Sequence, residues 1–84
     1  MIKSSATKTA IITGAGSGIG KQASIYLANH GIKTFLIDLD SAKGQSTSDY
    51  IIRNGGESFF ENADVSNSEQ MKKAVDKCID LYEK

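Results

Sequence analysis

Thr9-Ala10-Ile11-Ile12-Thr13-Gly14-Ala15-Gly16-Ser17-Gly18-Ile19-Gly20 is the stretch on which the reading of this 84-residue chain turns. Its first part, T-A-I-I-T, is short, apolar and β-branched, the pattern of a buried parallel strand. Its second part carries four glycines in seven residues, so the backbone can turn tightly and approach a ligand with no Cβ in the way. Beyond it Ile19, Ala23, Tyr26 and Leu27 recur at helical spacing, and Gly31 stands where a helix C-cap glycine belongs. This predicts a helix over 18–30. Strand, glycine turn and helix in that order gather free N–H groups and the positive end of a helix dipole at one point, which suits a phosphate or pyrophosphate. The alternative is a plain tight turn.

The same alternation continues along the chain. Residues 33–38 (K-T-F-L-I-D) predict a second strand, 41–54 a second helix weakened by Gly44 and stopped by Gly55 and Gly56, and 57–62 (E-S-F-F-E-N) a third strand. Ser66 and Glu69 form an S-x-x-E capping box for a last helix. On that helix Met71, Ala74, Val75, Cys78 and Tyr82 share one face, away from Lys72, Lys73, Asp76, Lys77 and Asp80. The order is βαβαβα, with no internal repeat. It implies an α/β fold with a parallel three-stranded sheet and right-handed crossovers, read as a single unit over residues 1–84.

Composition removes several classes of function. Ten Lys and Arg balance ten Asp and Glu, against a nucleic-acid binder or a polybasic membrane binder. With 39% hydrophobic and 24% charged residues the chain has a globular composition. The aliphatic run Ala10-Ile11-Ile12 is far too short to span a membrane, and the first six residues lack the apolar core of a secretion signal. One cysteine, Cys78, excludes an internal disulfide and a cysteine metal cage. The expectation is a cytoplasmic protein with no metal site. A chain this short buries only about 60–65% of its unfolded surface, so packing, a ligand or another chain must hold it.

The glycine turn does not fit a P-loop: Ala15 stands where the glycine before Gly20-Lys21 belongs, and Gln22 follows the lysine. A strict G-x-G-x-x-G fails too. What fits is T-G-x-x-x-G-x-G, at Thr13, Gly14, Gly18 and Gly20. Asp38 ends the second strand eighteen positions after Gly20, where an acidic residue accepts hydrogen bonds from adenosine ribose hydroxyls. Bonds of that kind contribute roughly 1.5–3 kcal/mol each, and a 2′-phosphate in the same place meets like charge. In sequence no Arg or Lys compensates at the adjoining positions, because Ser17 precedes Gly18 and Leu39 follows Asp38. NAD is therefore expected over NADP. Asp64-Val65, a carboxylate beside an apolar residue at the end of the third strand, suits the flank of an adenine ring; the other reading is that Asp64 begins the turn into the Ser66 cap.

Taken together these landmarks resemble the short-chain dehydrogenase/reductase family, over roughly residues 8–84. The resemblance implies a partial Rossmann fold with strand order 3-2-1, leaving the first strand at a sheet edge. It implies that Gly14, Ser17, Gly18, Ile19 and Gly20 line the pyrophosphate and adjacent ribose, that Asp38 binds the adenosine ribose, and that Leu39 lies against the adenine. Asp64 and the Val65 backbone would hold the adenine edge, and Thr13 would brace an Asn-Ala-Gly turn on a next strand. The family's catalytic Y-x-x-x-K pair has no match: four positions after Tyr26 and Tyr50 stand His30 and Asn54, and only Glu83 and Lys84 follow Tyr82. No catalytic residue is assigned. His30 is read as a helix-end residue, Cys78 as core, Lys21 as a solvated or phosphate-side lysine, and the tyrosines as packing groups. The expectation is the NAD-binding N-terminal part of an oxidoreductase that interconverts an alcohol and a carbonyl. Its alternative is a non-catalytic dinucleotide-binding module, self-associating or completed by a partner chain through the open sheet edge.

Overall fold

The computed structural model describes residues 8–82; the opening residues read for a secretion signal lie outside them. Six elements follow in order: β1 (Thr9–Thr13), α1 (Gly18–Asn29), β2 (Lys33–Asp38), α2 (Ser41–Arg53), β3 (Ser58–Asn62) and α3 (Ser68–Tyr82). The strands pair in parallel as β1-β2-β3, with Thr9 opposite Lys33 and Thr34 opposite Ser58. Element type and order agree with the periodicity of the sequence. Boundaries move by a residue or so: His30 and Asn54 are caps that close α1 and α2 rather than their last helical residues.

The strand that both layers bury is β2, whose residues 34–37 are all buried. Successive side chains on a strand face opposite ways, so β2 feeds two cores. Leu36 packs with Ala15 and Ile51, flanked by Ile12, Ile25, Ala28 and Phe60, under α1 and α2. Phe35 and Ile37 pack with Ala63, Ala74 and Cys78, flanked by Phe59, Met71 and Tyr82, under α3. Cys78 is thus a core residue on the apolar stripe of α3. Tyr82 donates its hydroxyl to the Thr34 carbonyl at 3.1 Å, and burial, then Glu57 and Cys78, push its phenol up to about 12.

Three local expectations are corrected. First, β1 is not a buried strand: it has one neighbour among the described residues, and Ile11 is 42% exposed. Apolar composition alone does not distinguish a central strand from one whose second neighbour is missing. Second, Ser66 does not cap α3. Its N–H and hydroxyl both donate to Asp64 Oδ1, at 2.9 and 2.7 Å, and Asn67 takes the cap, its Oδ1 accepting from the Gln70 N–H at 3.0 Å. Asn is as good a cap as Ser, and the tight turn begun at Asp64 claims Ser66 first. Third, Gly44 is a packing residue rather than a weak point in α2: a Cβ there would run into the Phe60 ring, so its absence lets α2 settle on β3.

Candidate functional site

Because the strands are parallel, the turns after β1, β2 and β3 leave the sheet at the same carboxyl end, where ligands of open α/β sheets bind. In the turn after β1, Gly14 and Gly18 adopt φ of 62° and 56°, and Gly20 lies directly against the Gly14 carbonyl. The turn comes up against the start of α2 at Gly16. A Cβ on it would stand 2.7 Å from Lys43 Cβ and 2.9 Å from both Asp38 Oδ2 and the Gly44 nitrogen. Without one, the Gly16 N–H donates to Asp38 Oδ2 at 2.7 Å, and the neighbouring Ala15 N–H donates to the Ile37 carbonyl at 3.3 Å. The other Asp38 oxygen, Oδ1, accepts from the Asp40 N–H at 2.8 Å. One carboxylate therefore ties the glycine turn to the turn after β2.

The third turn is tied in by Asn62, whose side-chain amide donates to the Asp38 and Leu39 carbonyls at 3.0 and 2.9 Å. Sequence reasoning missed Asn62, because only the strand register places it opposite Asp38. Gln70 was missed as well: from the first turn of α3 its Oε1 accepts from the Asp64 N–H at 2.8 Å. Asp64 itself begins a turn, which was the second of its two readings, although that turn ends in an Asn67 cap. The Ser66 hydroxyl, then the Ser66 N–H, hold its carboxyl below the usual aspartate value.

Beside the glycine turn the start of α1 is open. Ser17 occupies the N-cap in extended conformation and makes no side-chain cap hydrogen bond, and no acidic residue stands in the first turn. The other two described helices are capped, α2 by Asp40 and α3 by Asn67. The N–H groups at the α1 start thus combine with the helix dipole to favour an anion. Three apolar side chains stand exposed at this end: Ile19 (89%), Leu39 (67%) and Val65 (56%). Ser17, Gly18 and Ile19 also line a groove of about 1240 Å³ that runs outward between α1 and α2. Asp38, Leu39, Asp64 and Val65 are not among its lining residues and sit on the three turns instead. Lys21 and Lys43 line that groove.

A parallel βαβαβα sheet with this glycine turn is a partial Rossmann fold, the N-terminal half of a nucleotide-binding α/β architecture. Residues 8–84 match the family model described as short chain dehydrogenase, and the chain belongs to that family. Among its relatives, the cyclohexanol dehydrogenase of an Acinetobacter species is 36% identical over 75 residues, covering 89% of this chain and 30% of the relative. A short-chain dehydrogenase/reductase from Burkholderia phymatum, solved in complex with NAD, superposes with a TM-score of 0.90 at 34% identity, over 94% of this chain and 28% of that one. A metagenomic short-chain oxidoreductase solved with NADP superposes with a TM-score of 0.86 at 26% identity, over 96% and 37%. The chain therefore spans 28–37% of the length of these three proteins.

Replacing Ser66 by Ala removes the main donor to Asp64 and should raise its pKa toward the ordinary value of 3.8, read by NMR titration of the carboxyl. A lowered native pKa adds stability above the unfolded pKa that is lost as pH falls through the native one. The variant should therefore lose part of that acid-range dependence. An unchanged Asp64 titration would contradict the assignment.

Proposed function

We propose that this chain is the cofactor-holding part of an oxidoreductase that interconverts an alcohol and a carbonyl, with NAD preferred to NADP. The observation that carries the reading is the uncapped start of α1, set on a glycine turn and fixed beside the Asp38 carboxylate. The chemistry of the residues fits the parts of a dinucleotide. Backbone N–H groups at Gly14, Ser17, Gly18, Ile19 and Gly20 would face the pyrophosphate and the adjacent ribose. Asp38 keeps acceptor capacity for the adenosine ribose hydroxyls beyond its two backbone bonds, because a carboxylate offers about four lone-pair sites. Exposed Leu39 and the Val65 segment would flank the adenine, with Asp64 at its edge. When bound, the cofactor supplies a hydride acceptor or donor; the residues of this chain bind and orient it, and the proposal gives them no catalytic step. Membership of the family and relatives solved with NAD or NADP support this reading. Residues 1–84 as the N-terminal part of one dinucleotide-binding domain, working in the cytoplasm, belong to the same proposal.

A second observation, the outer edge of β1, supports a partner strand. Among the described residues β1 pairs only with β2, and it presents an apolar, unpaired edge of the kind that templates association. We infer that a second copy or a completing chain pairs there. Sedimentation of the isolated chain should show concentration-dependent association that Ile11→Lys suppresses. A wild-type chain that stays monomeric at every concentration would sink this inference.

For the cofactor, Asp38→Asn keeps an acceptor for the Gly16 N–H and removes the charge. NAD binding measured by calorimetry should weaken by about tenfold or more, the scale of a lost hydrogen bond to a charged group. Equal affinity in wild type and variant would remove Asp38 from the site.

A further inference from the structure

We propose that Asn54, at the carboxyl end of α2, is a site of spontaneous deamidation, opened to reaction when the last turn of the helix frays. The site lies at the amino end of the sheet, away from the glycine turn, and does not depend on the dinucleotide reading.

Asn54 and Gly55 form the one Asn-Gly pair in the chain; Asn29, Asn62 and Asn67 precede His30, Ala63 and Ser68. A glycine has no side chain to keep its amide nitrogen away from the preceding carboxamide, and both residues are exposed. The folded turn holds the reacting groups apart. Gly55 has φ of 90°, and its N–H donates to the Ile52 carbonyl at 3.0 Å while the Gly56 N–H donates to the Ile51 carbonyl at 2.9 Å, the paired bonds of a glycine helix stop. Asn54 Nδ2 donates to the Tyr50 carbonyl at 2.8 Å. With ψ of 17° at Asn54, the Gly55 nitrogen is turned toward the Asn54 nitrogen and away from its side chain. Exposed helix ends open locally at little cost, and that opening frees the nucleophile and the leaving group together. α1 ends on the same kind of stop, with Gly31 at φ of 79° and His30 Nδ1 2.8 Å from the Tyr26 carbonyl. There an imidazole takes the place of the carboxamide, so no ammonia can leave.

In the open turn the Gly55 amide gives its proton to hydroxide, and its nitrogen bonds to Asn54 Cγ. The Cγ–Nδ2 bond breaks, and the nitrogen leaves as ammonia with a proton from water. The cyclic imide left behind then takes up one water. Addition at Cγ gives an aspartate, and addition at the main-chain carbonyl carbon gives an isoaspartate whose backbone runs through Cβ and Cγ. The sum is one water consumed and one ammonia released, with no oxidation or reduction. Either product sets a new carboxylate at the negative end of the α2 dipole, where an anion is unfavourable. The isoaspartate also lengthens the backbone between Ile51 and Gly56. Gly56 sits so close to Ile51 that a Cβ on it would stand 2.7 Å from Ile51 Cγ2, and Ile51 packs with Leu36 and Ala15, so the disturbance reaches the core.

The test is peptide mapping by mass spectrometry of the full chain aged at mildly alkaline pH, with and without urea. Asn54 should convert to a mixture of aspartate and isoaspartate before Asn29, Asn62 or Asn67 changes, and urea should speed the conversion several-fold. In thermal unfolding, Asn54→Asp should melt below wild type and Asn54→His, which copies the end of α1, should stay close to it. An Asn54 that stays intact, or that changes no sooner than the other three, overturns the site. Equal rates with and without urea overturn the control by the helix stop, and an Asn54→Asp variant that melts with wild type overturns the consequence for α2.

Discussion

The hydrogen bond from the Gly16 N–H to Asp38 Oδ2, at 2.7 Å, holds the glycine turn and the start of α2 in place. It exists because Gly16 has no Cβ: any side chain there would push against Lys43, Gly44 and Asp38 together. Pushing α2 away would also lift Gly44 off the Phe60 ring and loosen the core around Leu36 and Ile51. A hydrogen bond to a charged group contributes on the order of 1.5–3 kcal/mol, a large share of the 5–15 kcal/mol that keeps typical domains folded. The contact is at once structural and functional, since the carboxylate that fixes the turn is also the one aimed at the ribose.

The sheet gives that contact its accuracy. β2 is buried on both faces, and a one-residue slip against either neighbour would exchange its side chains between two cores shaped for the opposite set. The parallel register also sets Asn62 opposite Asp38 and lets its amide hold the carbonyls of Asp38 and Leu39. Three turns distant in sequence are thereby joined by the side chains that end β2 and β3. The cost is borne at β1, where the outer edge remains unpaired among the described residues and Ile11 meets solvent.

Most of the architecture was legible in the sequence, because hydrophobic period and glycine placement are local properties. The spacing of Met71, Ala74, Cys78 and Tyr82 marked the buried face of α3, and the glycines marked the turn after β1. What was illegible depended on competition or on distance. Ser66 and Asn67 are both good caps, and the choice fell on Asn67 only because Asp64 had already taken Ser66. Gly44 read as a weak point of α2 until the Phe60 ring was placed against it. The edge character of β1 followed from strand order and not from its apolar composition.

The central claim is that the turn anchored by Gly16 and Asp38 holds a dinucleotide. The most direct measurement is a ¹⁵N–¹H NMR titration of the labelled chain with NAD, following the Gly16 and Asp40 amides that donate to Asp38. The account predicts saturable shifts, largest at residues 14–20 and 38–40, with the amides of α3 beyond its first turn nearly still. A well-dispersed spectrum of a folded chain in which those amides do not respond to NAD would contradict it.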